Sequence, residues 1–195
     1  MPLSLIVLTA PSGAGKTTIA RRLLAGIPSL RFSVSATTRP PRDGERDGVD
    51  YHFVDEAAFR RLVSEDAFVE FEEVYPGRFY GTLWAELDAA RATAHASGDL
   101  PALVLLDIDV RGALAVKERF GADVLTVFVA PPSLAVLEER LRARGTETEH
   151  TLAVRLARAA DEITYAPRFD AVVVNARLDD AVAETRALVR RYIGD

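Results

Sequence analysis

The chain contains no cysteine. That excludes a disulfide, a thiol nucleophile and a cysteine-held zinc, and it fits a reducing compartment. No apolar run approaches the ~20 residues that span a bilayer, so no transmembrane helix is expected. Excess positive charge is also lacking: 24 Lys and Arg stand against 29 Asp and Glu, a net charge of −5. A nucleic-acid partner needs a basic face, so none is expected. Histidine is scarce, and His52, His95 and His150 read as structural or exposed groups rather than catalytic bases. No segment repeats and none is of low complexity. The remainder, 195 residues with 49% hydrophobic and 27% charged, is enough for one domain with its own core and small insertions. The apolar start MPLSLIVLTAPSG has no basic leader and runs straight into glycines. It reads as a buried strand rather than a signal peptide, and the expected location is the cytoplasm.

Leu3 to Thr9, Ala102 to Ile108, Leu125 to Val129 and Ala171 to Val174 are short, nearly continuous apolar runs. Such runs suit strands of a parallel sheet covered on both faces. Between and after them lie helical patterns at Lys16 to Ala25, Val110 to Phe120, Leu134 to Arg144, Thr151 to Ile163 and Leu178 to Tyr192. Strands alternating with helices predict an α/β fold: a parallel sheet with helices on both faces. Residues 35–96 break the rhythm with a Pro- and Arg-rich loop, strand-like pieces at 51–53 and 68–74, and a small helix near 55–64. This predicts an inserted mixed α/β subdomain at about 35–96. A helical lid is expected at about 131–159, and the core at about 1–34, 97–130 and 160–195.

The sharpest motif is Ala10-Pro11-Ser12-Gly13-Ala14-Gly15-Lys16-Thr17, followed by Thr18. It meets the P-loop pattern G-x-x-x-x-G-K-[ST] except at Ala10, with a strand before it and a helix after it. Gly13 and Gly15 allow backbone N–H groups to converge on phosphate, and the helix N-terminus adds positive partial charge. Lys16 is placed to meet the β- and γ-phosphates of a nucleoside triphosphate, and the Thr17 hydroxyl to hold Mg²⁺.

The acceptor is read elsewhere. Arg39 and Arg42 lie three apart in a loop stiffened by two prolines, and arginine forks match phosphate oxygens. Taken alone, the segment serves equally well as a solvated basic loop. Tyr51 and Tyr80 carry hydroxyls for a phosphate and rings for a base; taken alone, they are ordinary packing. Strand alternation places Phe68, Glu70 and Glu72 on one face and Val69 and Phe71 on the other. A carboxylate beside Phe68 accepts both N1–H and N2–H of guanine and faces a lone pair of adenine, a source of strong discrimination. Two exposed glutamates on an edge strand fit the same pattern.

These residues together resemble the guanylate kinase family over Leu5 to about Tyr192. The resemblance rests on APSGAGKT at 10–17, FSVSATTRPPRDGE at 32–45, DGVDYHF at 47–53, FVEFEEVYPGRFYGT at 68–82, LLDIDVRGA at 105–113, RGTETE at 144–149 and FDAVVVN at 169–175. It implies a P-loop kinase moving the γ-phosphoryl of ATP, with Mg²⁺, onto GMP and also dGMP, with no obligatory protein partner. By the same resemblance Arg39, Arg42, Tyr51 and Tyr80 hold the GMP phosphate. Ser35, Glu70 and Thr82 read guanine, and Asp107 and Asp109 lie near GMP and the metal. Arg140, Arg144 and Arg155 are lid arginines acting with Lys16 on the moving phosphoryl. Asn175 lies near adenine, although it also fits the cap of the following helix. Ala10 departs from the family's Gly, Thr82 stands where Ser is also found, Arg111 stands where Gln is usual, and Leu83-Trp84 differs after YGT. Two competing readings are a non-catalytic guanylate-kinase-like interaction module and a related sugar-phosphate kinase. The intact phosphate cradle opposes the first. Glu70, Thr82 and the loop at 35–42 together oppose the second.

Overall fold

Leu5, Ile6, Val7 and Leu8 are all fully buried in succession, as in a strand covered on both faces. The computed structural model describes residues 3–98, 102–143 and 148–194. In chain order the strands are β1 (Leu3–Thr9), β2 (Leu30–Phe32), β3 (Ala36–Thr37), β4 (His52–Phe53), β5 (Phe68–Tyr75), β6 (Arg78–Leu83), β7 (Ala102–Asp107), β8 (Val124–Ala130) and β9 (Ala171–Val174). The helices are α1 (Lys16–Gly26), α2 (Glu56–Ser64), α3 (Trp84–Ser97), α4 (Val110–Phe120), α5 (Leu134–Ala143), α6 (Glu149–Thr164) and α7 (Leu178–Ile193).

The larger sheet is parallel, in the order β2-β7-β1-β8-β9. Alternation along β1 splits the core in two. Ile6 and Leu8 pack with Ile19 and Leu23 of α1 and Ala181, Val182 and Val189 of α7. Leu5 and Val7 pack on the other face with Leu87 and Ala90 of α3 and Val110, Ala113 and Val116 of α4. Truncating a fully buried leucine such as Leu23 to alanine costs about 2–5 kcal/mol, a large share of a domain's stability. The four apolar runs are four of the five strands, and helices cover both faces, as the α/β pattern requires. The fifth strand, β2, is an edge of three residues with only Leu30 buried, too short to show any period.

The smaller sheet has the order β4-β3-β6-β5 and is mixed: β3 pairs parallel with β4, while β6 pairs antiparallel with β3 and β5. Its own core is Ala36, Phe59 and Phe68, with Val54, Leu62, Phe79 and Leu83 against them. The Phe59 and Phe68 rings stack with centroids 4.6 Å apart. Asp55 caps α2 by accepting from the Ala58 N–H at 2.7 Å.

One expectation is corrected here. Phe68 opposes Leu83, whereas Glu70 opposes Thr82, so a bulge at Val69 interrupts the pairing. One extra residue in one strand reverses which side chains share a face. Phe68 therefore packs in the subdomain core, with the exposed Phe71 ring 5.8 Å away between centroids, and Val69 turns into the main core. Glu70, Thr82, Glu72 and Tyr80 share the other face, since Glu72 opposes Tyr80. Phe68 does not flank the Glu70 carboxylate. The Arg119 guanidinium donates to the freed Val69 carbonyl at 3.1 Å and lies 4.6 Å from the centre of the Trp84 ring, which gives Trp84 its packing role.

Candidate functional site

β1 ends at Thr9, and the chain turns through residues 10–15 into α1. Gly13 and Gly15 have φ of 96° and 99°, the left-handed region that a Cβ disfavours. A Cβ on Gly13 would also lie 2.9 Å from Leu141 and 3.0 Å from Leu137, so α5 rests directly on the loop. The Ala14 N–H is bonded to the Pro11 carbonyl at 3.1 Å, and Ala14 is fully buried beneath the cradle. Asn175 does not cap α7, whose N-cap is Arg177. Its Nδ2 donates instead to the Ala14 carbonyl at 2.7 Å, and its own carbonyl accepts from Arg140 at 2.9 Å. One residue at the end of β9 thus ties the cradle to α5.

Lys16 forms an ion pair with Asp107 and donates to the Ile108 carbonyl at 3.0 Å. Burial works against its ammonium, yet the Asp107 carboxylate prevails and holds its pKa above the ordinary value. Thr17 Oγ1 donates to the other Asp107 oxygen at 2.9 Å. Lysine, hydroxyl and carboxylate therefore converge where β1 and β7 end, the crevice in which open α/β sheets bind ligands. Asp109 caps α4, accepting from the Arg111 and Gly112 N–H groups at 2.9 and 3.1 Å.

A single cavity spans both halves of the predicted site. One wall is Ala10, Pro11, Ser12, Gly13, Gly15, Lys16, Thr17 and Thr18; the facing wall is Ser35, Arg42, Tyr51, Glu70 and Tyr80, with Asp107 and Asp109 at the floor. Arg155 also lines it and donates to Ser12 Oγ at 3.2 Å. Thr82 stands behind the wall, fully buried, and donates to Glu70 Oε1 at 2.6 Å. Burial raises the Glu70 pKa to about 7, against the opposing pull of the Thr82 hydrogen bond. Arg39 does not line the cavity. Its guanidinium forms a bidentate pair with Glu45 at 2.7 and 2.8 Å and lies 5.0 Å from the centre of the Tyr51 ring. Although burial opposes its charge, Glu45 raises its pKa. Arg144 lies outside the described residues.

Three charged residues that face or support the cavity escaped the sequence reading. Glu45 also accepts from the Arg42 N–H at 2.7 Å and so organises the whole arginine loop; its signal was an acid three residues after Arg42. Arg158 lines the cavity, lies 5.0 Å from the centre of the Tyr75 ring and donates to Glu162 at 2.6 Å. Their signal was the i,i+4 spacing on α6. Burial raises the Glu162 pKa, partly offset by Arg158. Among the described residues no group of His, Asp and Glu forms an all-protein metal cage. Mg²⁺ needs none, since it binds through one or two protein oxygens plus substrate phosphates. The Thr17 hydroxyl beside the Asp107 carboxylate fits that demand.

A parallel sheet whose first strand opens into a glycine-built anion nest, with lysine and threonine at the helix start, defines a P-loop kinase-like fold. Similar folds include a Bacteroides thetaiotaomicron shikimate kinase, 15% identical with a TM-score of 0.51 over 98% of this chain and 99% of that one. A profile of guanylate kinases matches residues 3–192. The guanylate kinase of Salinibacter ruber is 52% identical over 97% of both chains, and that of Chlorobium chlorochromatii is 47% identical over 97% of this chain and 96% of its own. The crystal structure of guanylate kinase from Anaplasma phagocytophilum superposes with a TM-score of 0.74 at 33% identity, covering 96% of this chain and 85% of that one. The chain belongs to the guanylate kinase family.

Proposed function

We propose that this protein transfers the γ-phosphoryl group of ATP to GMP, giving ADP and GDP. The observation that carries the reading is the shared cavity. A triphosphate cradle and a pair of groups suited to guanine, Glu70 backed by Thr82, face each other across one space. Family membership points the same way.

The P-loop amides and Lys16 bind the ATP phosphates, with Lys16 exchanging Asp107 for phosphate oxygens. Thr17 and Asp107 are the residues that would hold Mg²⁺, which neutralises phosphate charge when bound. Arg42, Tyr51 and Tyr80 hold the GMP phosphate, joined by Arg39 from behind. Ser35, Glu70 and Thr82 read guanine. The acceptor phosphate oxygen is already ionised, so it needs no general base. It forms the new P–O bond in line as the bond to ADP breaks. Arg155, Arg140 and Arg144 belong to the segment that compensates charge on the moving phosphoryl. Residues 35–96 act as the GMP-binding subdomain and 131–159 as the lid. Their closure over the core at 1–34, 97–130 and 160–195 excludes water that would otherwise take the phosphoryl.

A coupled ADP-release assay with GMP, dGMP, AMP and a sugar phosphate tests this reading. GMP and dGMP should drive ADP release well above the ATP-only rate, and AMP and the sugar phosphate should not. ADP release indifferent to GMP would overturn the reading.

A further inference from the structure

Gly112 sits in the first turn of α4 with an ordinary helical φ. Glycine at a helical position is less favourable than alanine, and here no left-handed turn demands it. The surroundings supply a different reason. A Cβ on Gly112 would fall inside van der Waals contact of Glu70 Oε2 and 3.1 Å from Glu70 Cδ, while Asp109 would be 3.5 Å away, an ordinary contact. Thr82 holds the other carboxylate oxygen, Oε1, at 2.6 Å. Between Thr82 on β6 and the bare Gly112 backbone on α4, the carboxylate has one seat. The bulge at Val69 aims Glu70 at that seat.

We infer that Gly112 is a positioning residue for base choice: its missing side chain is the space that the Glu70 carboxylate occupies. The inference rests on reading Glu70 as the acceptor for guanine. A methyl group at position 112 would push the carboxylate off its seat while leaving the P-loop, on the far side of the cavity, untouched. Displacing a positioned group by about 1 Å lowers the rate by about 100-fold.

The experiment compares wild type, Gly112→Ala, Glu70→Gln and the double variant. It reads melting temperature, KM for ATP and kcat/KM for GMP and AMP. Gly112→Ala should stay folded with a cooperative melt, the helix preference for alanine partly offsetting the displaced carboxylate. Its KM for ATP should not change. Its kcat/KM for GMP should fall by about 100-fold, with a far smaller change for AMP. On the Glu70→Gln background the same substitution should leave the base preference unchanged. An intact GMP preference in Gly112→Ala, or an equal loss of preference on both backgrounds, overturns the inference. An intact preference in Glu70→Gln overturns instead the reading of Glu70 itself.

Discussion

In the proposed reading, the loop at 10–17 offers phosphate its main chain and one ammonium, while the loop at 35–45 offers it side chains. The first is pinned by elements on three sides: β1 runs into it, α5 rests on Gly13, and Asn175 holds Ala14. Its shape follows from positive-φ glycines and from the core beneath. The second is held by its own residues, chiefly the Arg39–Glu45 pair and the Arg42 N–H to Glu45 bond. It hangs on a small sheet whose core has three buried side chains. The proposed function asks both loops to meet phosphate, one with rigid backbone and the other with balanced charges. Charge balance is the device that a single substitution, or a proton, upsets more selectively.

The largest effect should separate the two loops by removing the one charged side chain of the first. Lys16→Ala should lower kcat by about 10²- to 10³-fold, the scale on which a preorganised transition-state donor acts. GMP affinity, measured by calorimetry, should stay at the wild-type value. A comparable loss of GMP binding would mean that the two loops do not act on different phosphates.

Glu70→Gln strikes the acceptor side. Replacing one acceptor oxygen with an NH₂ donor should cost about 1.5–3 kcal/mol, the range for hydrogen bonds to charged groups. That is about a 10- to 150-fold loss in kcat/KM for GMP. AMP should lose far less, so the preference ratio should fall with it.

Glu45→Ala asks whether the second loop depends on its internal ion pair. It leaves the nearly buried Arg39 unpaired, and thermal melting should show a loss of about 2–4 kcal/mol. The Arg39 hydrogen bonds hold the Glu45 pKa below the ordinary carboxylate range. That stabilisation is therefore present at neutral pH and is lost on acidification through the lowered value.

A smaller effect is a matter of protons. With the Glu70 pKa raised to about 7 in the free protein, only about a tenth of the chains present a carboxylate at pH 6. GMP should bind about tenfold more weakly at pH 6 than at pH 8, because guanine selects the ionised form. Glu70→Gln should lack this component, which separates it from titration of the GMP phosphate itself. The stability sign is opposite to that of Glu45: a raised carboxyl pKa makes the folded state less stable as pH climbs from the ordinary range to about 7. The substitution should remove that slope as well.

The two regions also differed in how far they could be read in advance. β1, the glycine loop and α1 are local: a buried run, φ-permissive residues and a lysine follow one another within 17 positions, so order in the chain is order in space. The acceptor side is assembled from distant pieces. β3 and β4 have two residues each, too few to show a period. The bulge at Val69 depends on what β6 presents opposite it, which alternation along β5 cannot reveal. Asn175 read as a residue near adenine, with a helix cap as the alternative, because its partner Ala14 lies 161 positions away. Arg39 read as an open fork because nothing in its type shows that Glu45 already fills it. Gly112 carried no signal at all, since its meaning is a distance to another strand.

The place of Asn175 bears on the order in which the molecule becomes competent. β1 lies at the centre of its sheet, and both its neighbours, β7 and β8, come from about a hundred residues further along. The carbonyl of Ala14 finds its partner only when the end of β9 is in place. During synthesis, then, the loop at 10–17 is made long before the residue that fastens it. Distant pairings of this kind slow folding, and until they form the loop lacks the bond that fixes the Ala14 carbonyl.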